Sequence, residues 1–349
     1  MRLPCGTINR NYSQDAAIIR TNLQWVLLIA VLLAVFTFPF WASPHYIFLA
    51  ITVGISIIGV MGLTLLTGYA GQISLGHTAF IATGAYTVGI LMSTLGWPFW
   101  AALPCAGFVS GFVGVIFGLP SLRVKGLYLV IATLAAQFII MHIINRWGSM
   151  TGGYFGLTVP RITLGGFTFK SDFSYYFLVM IFAIIAIVIA KNLTRTRIGR
   201  AWIAIRDNDL ASEIMGVNPL KYKLLAFFFG CFFAGIAGAL WAPYMRMILP
   251  EQFHLMDSVW YLGYIIVGGM GSIMGPICGV IFITALDELT SEIVTFLATG
   301  SPVFAGFVQA SRYIVFGLVI TLFLIFEPRG IAHMWERIKS SYRLWPFSH

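Results

Sequence analysis

Long apolar runs dominate the chain, broken at intervals by glycines and short polar stretches. A membrane-crossing helix needs about 20 consecutive apolar residues. Runs of that kind predict spans at 24–42, 46–66, 74–95, 98–118, 126–145, 173–190, 224–245 and 304–326. The run 257–297 is interrupted by the sequence GGMGSIMGP at 268–276 and divides into one span before the break and one after it. The pattern therefore predicts an all-α, polytopic membrane protein of about ten transmembrane spans, some of them glycine-broken helices. Basic residues followed by the apolar stretch Trp25 to Trp41 resemble a signal peptide, but Ala42-Ser43-Pro44 is a poor cleavage site, so this stretch is read as a retained first span.

The spans divide the chain into a cytoplasmic N-terminal segment (1–23), a transmembrane domain (24–326) and a cytoplasmic C-terminal tail (327–349). Within the domain lie a glycine-rich extracytoplasmic loop at 146–172, expected to hold short strand-like pieces, and a polar cytoplasmic segment at 191–223. Ten crossings put both termini on one side. That side collects Arg2, Arg10, Arg20, Arg123, Lys125, the seven basic residues from Lys191 to Lys223, and Arg329, Arg337, Lys339 and Arg343. The other side holds Arg146, Arg161, Lys170, Arg246 and Arg312. Sixteen against five makes the richer side cytoplasmic, because basic loops are retained there.

Composition supports the same class. The 349 residues are 59% hydrophobic and 9% charged, with a mean hydropathy of +0.90. A soluble chain carries roughly 25% charged residues. The net charge of +9 then follows from topology and implies no nucleic-acid partner; the partner it does imply is membrane lipid. Cys5, Cys105, Cys231 and Cys278 form no CxxC pair and read as free thiols.

Glycines pattern the spans themselves. Gly107, Gly111, Gly114 and Gly118 share one helical face, and Gly230, Ala234 and Gly238 repeat the small-xxx-small spacing. Such faces let helices approach closely in lipid. They read as packing seams within one bundle or against a second permease subunit.

Two breaks stand out. Leu65-Leu66-x-Gly68-x-x-Gly71-x-Ile73 matches Ile265-Ile266-x-Gly268-x-x-Gly271-x-Ile273 at an offset of 200 positions, as an internal parallel repeat would. Each break follows a span entering from outside and precedes one returning. Unwound backbone in a membrane needs protein or a water-filled cavity around it, and broken helices in matching halves mark substrate routes. Gly68, Gly71, Gln72, Ser74, Gly76 and His77 in the first break, and Gly268, Gly269 and Gly271 in the second, are the candidate pathway or hinge residues. A half-helix starting near Gly71 or Gly271 would offer backbone N–H groups to a substrate carboxylate. The bland alternative is that Gln72 and His77 hydrogen-bond neighbouring helices and the glycines only allow tight packing. His77 has no second ligand at metal-binding spacing. Asp287, Glu288 and Glu292 are placed near the outer face, as an electrostatic funnel or as ordinary solvated charge.

Residues 195–219 read RTRIGRAWIAIRDNDLASEIMGVNP. Asp207-Asn208-Asp209 is an N-cap cluster, Leu210/Ile214 and Ala211/Met215 pair at i,i+4, and Gly216 with Asn218-Pro219 ends the helix. A helix of about two turns is marginal alone. It is either a plain connector on the membrane surface or a ball that fits a socket on a cytoplasmic partner.

The chain has no GxxxxGK[ST] loop and no nucleophile–base pair, so it is not read as an enzyme, binds no ATP of its own and needs no cofactor. The motifs GYAGQISLGHTAF, GRAWIAIRDNDLASEIMGVN and GGMGSIMGPICG, in this order, together resemble the LivM-type permease family of bacterial branched-chain amino acid ABC importers, over roughly residues 50 to 330. The resemblance implies a helical bundle in the bacterial cytoplasmic (inner) membrane that translocates branched-chain or related amino acids. It also implies a related second permease subunit of LivH type, two ATP-binding subunits and an extracytoplasmic substrate-binding protein. Ala204 to Gly216 resembles the region that contacts the ATPases, which makes Arg206, Asp207, Asp209, Ala211, Glu213, Met215 and Gly216 the candidate coupling residues. Asp209 and Ser212 depart from the Glu and Ala of the shared permease loop. Urea or short amides stand as alternative cargo. An ion-coupled secondary transporter is a further alternative, but no buried mid-span carboxylate is visible to drive one.

Overall fold

The computed structural model describes residues 22–122, 126–164, 167–297 and 304–344. Arg2, Arg10, Arg20, Arg123, Lys125 and Cys5 lie outside the described residues, as does the N-terminal segment up to residue 21. The elements are α1 (Asn22–Thr37), α2 (Pro44–Leu63), α3 (His77–Ser93), α4 (Phe99–Gly118), α5 (Leu127–Arg146), the single turn α6 (Gly148–Thr151), α7 (Asp172–Arg195), α8 (Arg197–Asp207), α9 (Asp209–Ile214), α10 (Pro219–Met245), α11 (Leu255–Gly268), α12 (Met274–Leu297), α13 (Phe304–Phe326) and α14 (Gly330–Leu344). Two short ladders complete them. β1 (Leu157–Thr158) pairs antiparallel with β4 (Met247–Ile248), Leu157 opposite Ile248; β2 (Thr163–Leu164) pairs antiparallel with β3 (Phe167–Thr168). Contacts divide the chain into two units, residues 1–48 and 49–349. The second unit contains both glycine breaks and the polar segment at 191–223.

The protein is a nearly all-helical, multi-pass membrane protein. Among the described residues, five helices are long and apolar enough to cross a bilayer: Pro44–Tyr69, Phe99–Gly118, Leu127–Arg146, Asp172–Arg195 and Pro219–Met245. A sixth results if Ala310–Phe326 and Gly330–Lys339, bent by 45°, form one span. Two of the other expected spans are shortened beside the breaks, where the apolar runs absorb irregular residues: α3 has 17 residues and α11 has 14.

The core is built on α10, which packs along α4 and α3. Small residues make the approach possible. A Cβ on Gly107, Gly111, Gly114 or Gly118 would strike Phe232, Phe228, Cys231 or Phe227 of α10, and one on Gly238 would run into the Ile81 carbonyl of α3. The small-residue faces are therefore seams inside this bundle. At their centre the fully buried Ser110 hydroxyl lies 2.8 Å from both the Phe80 and the Cys231 carbonyl oxygens, and satisfies polar atoms that have no water to turn to. The opposite faces are lipid-like, with Phe112, Ile116, Ile131 and Phe138 all exposed.

Side-chain caps fix the helix starts. Ser171 accepts from the Ser174 N–H at 3.3 Å, Thr196 from Ile198 at 3.2 Å, Asn208 from Ala211 at 3.1 Å and Asn218 from Lys221 at 3.3 Å, each taking one otherwise orphan donor. At the far end of α10, Arg246 turns left-handed (φ 62°) and its carbonyl accepts from Val159 at 2.7 Å, so the loop at 146–172 is sewn to the end of α10 through β1 and β4. Asp287 on α12 and Arg312 on α13 form an ion pair at 3.3 Å.

Candidate functional site

The first break begins as a widened turn. Residues Thr64–Tyr69 continue α2 as a π-helix, a form that recurs at functional sites. The chain then unwinds: the Ala70 N–H bonds Leu65 O at 3.1 Å, Gln72 N–H bonds Leu66 O at 3.0 Å, and Thr67 Oγ1 donates to Gln72 O at 3.1 Å. At Gly71 φ is +68°, and a Cβ there would press on the Arg206 side chain.

The start of α3 is clasped from two other helices. Leu75 N–H donates to Thr133 Oγ1 at 3.0 Å, Thr78 N–H to Ser258 Oγ at 3.0 Å and Ala79 N–H to Gln137 Oε1 at 2.8 Å. Gly76 N–H reaches Ser74 Oγ at 3.3 Å. Gln137 uses its other end on Phe253 O at 3.1 Å. The expectation that this half-helix presents open N–H donors to a substrate carboxylate is thereby corrected, because Thr133, Ser258 and Gln137 already hold them. Their sequence separations of 58 and 180 residues left no local signal.

His77 and Gln72 separate in character. His77 is 1% exposed, and its Nε2 lies 2.9 Å from Gly59 O; a carbonyl only accepts, so Nε2 carries the proton. Gln72 is 3% exposed, and neither its Nε2 nor its Oε1 has a partner. A buried polar atom left unpaired costs about 1–3 kcal/mol, so enclosing the Gln72 amide works against stability.

The second break is tighter. Gly269 turns at φ 109°, its N–H bonds Ile265 O at 2.8 Å, and Ser272 Oγ accepts from the Gly275 N–H at 2.9 Å. A Cβ at Gly268 would meet the Gly275 carbonyl, one at Gly279 the Tyr264 carbonyl, and one at Gly269 the Arg329 carbonyl. Gly71 and Gly269, not Gly71 and Gly271, have the left-handed backbone, so the two motifs match in sequence but not residue for residue in conformation. The breaks nevertheless touch: a Cβ on Gly68 would run into the Met270 carbonyl.

Arg206 joins the polar segment at 191–223 to this junction. Its Nη1 donates to Gly68 O at 2.9 Å, and its Nε and Nη2 donate to Asp207 Oδ1 at 3.1 and 3.0 Å. α8 is anchored beneath by the fully buried Trp202, whose Nε1 donates to Tyr222 O at 2.8 Å. Within the Asp207-Asn208-Asp209 cluster the N-cap of α9 is Asn208, because Asp207 still closes α8. Lys223 Nζ donates to Asp209 Oδ2 at 2.8 Å and ties α9 to α10. Nothing local in the sequence marked that pair, which the turn at Gly216 (φ 85°) closes across 14 residues. Leu210, Ile214 and Met215 are 69%, 86% and 85% exposed. Ala211, Glu213 and Gly216 are exposed beside them.

The structure thus brings Gly71, Gln72, Arg206, Asp207 and Asp209 together around a cleft of about 380 Å³, also lined by Leu129, Ile205, Leu210 and Lys223. Gly68 joins it through its bond to Arg206. Ser74, Gly76 and His77 sit behind it in the clasp, and Gly268, Gly269 and Gly271 adjoin it through the junction.

The family model of the branched-chain amino acid transport system permease component matches residues 45–324. The chain is 30% identical over 335 residues to the high-affinity branched-chain amino acid transport permease LivM of Salmonella typhimurium, covering 89% of this chain and 75% of that protein, and the LivM of Escherichia coli K12 matches to the same extent. A probable LivH permease of Methanocaldococcus jannaschii is 26% identical over 293 residues, 80% of this chain and 89% of that one. No solved structure matches. With its family signature running through both glycine breaks and the segment between them, the chain belongs to the permease components of branched-chain amino acid transport systems.

Proposed function

We propose that this chain is the LivM-type permease subunit of an ABC importer in a bacterial cytoplasmic membrane, carrying branched-chain amino acids inward. It crosses the membrane ten times with both termini in the cytoplasm. It works with a LivH-type second permease, two ATP-binding subunits and an extracytoplasmic binding protein, for which the loop at 146–172, with Tyr154 and Phe155 exposed, is the docking surface. The observation that carries the reading is the short helix α9. Its apolar side chains Leu210, Ile214 and Met215 face outward, while Lys223 and Arg206 fasten its base to α10 and to the Gly68 carbonyl.

An apolar knob held by ionic clasps is suited to sit in a socket of an ATPase. Closure of the ATPase pair then displaces α8 and α9 together. The Arg206–Gly68 bond passes that displacement to the first break, and the Gly68–Met270 contact passes it to the second. Alternating access follows if the two positions differ in affinity for cargo.

The test uses membranes containing the whole transporter. Met215→Asp places a charge in the socket and should lower both ATP-driven leucine uptake and binding-protein-stimulated ATP hydrolysis at least tenfold, with the permease still present at normal levels. Undiminished coupling in Met215→Asp and Ile214→Asp together would refute the assignment. A cargo panel of leucine, isoleucine and valine against urea and acetamide separates the amino-acid reading from the amide one.

A further inference from the structure

The corner between α13 and α14 is pinned by charge. Glu327 Oε1 accepts from Arg337 Nη2 at 3.1 Å and lies 2.9 Å from His333 Nδ1, while Arg329 Nη1 lies 3.4 Å from His333 Nε2. His333 and Arg337 stand one turn apart on α14, on the same face. Holding both to Glu327 fixes how α14 is rotated about its own axis. The other side of the helix is apolar, with Ile331, Met334, Trp335 and Ile338 at helical spacing. That side begins on the bundle, where Ile331 packs against the buried cluster of Val267, Ile283 and Phe316 from α11, α12 and α13. It ends beyond the bundle, with Met334, Trp335 and Ile338 at 42%, 67% and 57% exposure.

Lipid is what lies beyond the edge of a membrane-embedded bundle. A helix side that enters the bundle at its first turn therefore meets lipid two turns later. The approach to α14 agrees. The axis bends by 45° after the apolar helix α13, whose last residues Ile325 and Phe326 are 67% and 76% exposed. Tryptophan favours the boundary between acyl chains and headgroups. The cations Arg329, Arg337, Lys339 and Arg343 outnumber Glu327 and Glu336, the balance that draws a helix to anionic lipid. We propose that α14 lies in the cytoplasmic lipid surface, with Met334, Trp335 and Ile338 toward the acyl chains and its cations at anionic phospholipid headgroups, and that this seat steadies the second glycine break.

The link to the break is a backbone contact. A Cβ on Gly269 would meet the Arg329 carbonyl, and one on Gly330, at φ 74°, would meet the Gly269 nitrogen. Chains packed this closely leave no slack, so the break moves only if the start of α14 moves with it. This inference rests on the proposed cytoplasmic placement of the C-terminal tail.

The test uses the assembled transporter in a cysteine-free background, in phosphatidylcholine nanodiscs with about a quarter phosphatidylglycerol. A nitrobenzoxadiazole label is placed at Ile338→Cys or, on the charged side, at Glu336→Cys. The Ile338→Cys label should be quenched by lipids spin-labelled near the headgroup, and at least threefold less by aqueous iodide than the Glu336→Cys label. Equal iodide quenching at both positions, or no quenching by the lipids, would overturn the proposal. Protection from iodide that appears only with the ATP-binding subunits present would overturn it too, and would make α14 a contact with them. In proteoliposomes, phosphatidylglycerol should raise ATP-driven leucine uptake at least twofold over phosphatidylcholine alone, and Ile338→Asp and Lys339→Gln should each reduce that gain. Uptake indifferent to phosphatidylglycerol, or an undiminished gain in both variants, would overturn the link to the second break. Both label positions are exposed, so the quenching series stands even if Ile338→Asp fails to fold. Spin-labelled lipid reports contact in either leaflet, while an impermeant thiol reagent on sealed vesicles reports which leaflet, so a wrong topology and a wrong seat are told apart.

Discussion

Lys223 holds its ammonium at 9% exposure, and Asp209 meets it at 18%. Two charges withdrawn from water are stable together and costly apart. Lys223→Met takes the cation from beside the Asp209 carboxylate and should cost about 3 kcal/mol, the low end for a buried pair because the carboxylate keeps some water. Adding Asp209→Leu removes the second charge and should restore part of the loss, a coupling that thermal unfolding of the four proteins in a double-mutant cycle would measure. Gln137 is a neutral counterpart: with Gln137→Leu the Phe253 carbonyl loses the Gln137 donor while the Ala79 N–H keeps only the Gly76 carbonyl at 3.2 Å, and about 1–3 kcal/mol should be lost. Asn208 was legible at this scale as part of an N-cap cluster, but the Asp209–Lys223 pair, closed across 14 residues by the turn at Gly216, was not. Nor was Gln137, whose partner on α3 lies 58 residues away. Gln72 was picked out for its polarity, but only burial without a partner separates it from His77, which has one.

Among the elements, what is local was readable. The glycine spacing of α4 and α10 named the seam, and the Asp207-Asn208-Asp209 cluster marked the start of α9, where Asn208 accepts from an N–H only three residues on. Thr196 and Asn218 cap helices that the sequence did not single out; Asn218 was read as ending a helix and instead starts α10. The clasp on α3 depends on partners 58 and 180 residues away, and so periodicity missed it. The seam gives a direct prediction. Gly238→Val would force a side chain into the Ile81 carbonyl, and rigid backbone gives way poorly, so the loss should reach about 3 kcal/mol, the upper part of the usual overpacking range. Gly317→Val on α13 meets nothing within 4 Å and should change stability little. Melting temperatures of the detergent-solubilised proteins compare them. Equal melting for both would mean that α3 and α10 are not in the close contact described.

At the scale of the molecule, the ten-span reading turns on which side the breaks occupy. α10 has 27 residues, about 40 Å at 1.5 Å per residue, enough to cross a hydrocarbon core of about 30 Å. At one end it joins α9 through Lys223, and Arg206 and Met270 gather there through Gly68. At the other end it joins β4 and, through β1, the loop at 146–172. These two groups of residues must therefore face opposite compartments. α11, with 14 residues and about 21 Å of length, is too short to cross unaided, and the contacts of Gly269 with Arg329 and of Gly68 with Met270 set its end beside the first break. In a cysteine-free background, Met215→Cys and Met270→Cys, at 85% and 40% exposure, should react with an impermeant maleimide in inside-out vesicles only. Tyr154→Cys, at 73% exposure, should react in right-side-out vesicles only. If Met270→Cys reacted from the same side as Tyr154→Cys, the second break would open outward. α11 and α12 would then be a re-entrant hairpin, and both the ten-span topology and the linkage from α9 through the two breaks would be lost together.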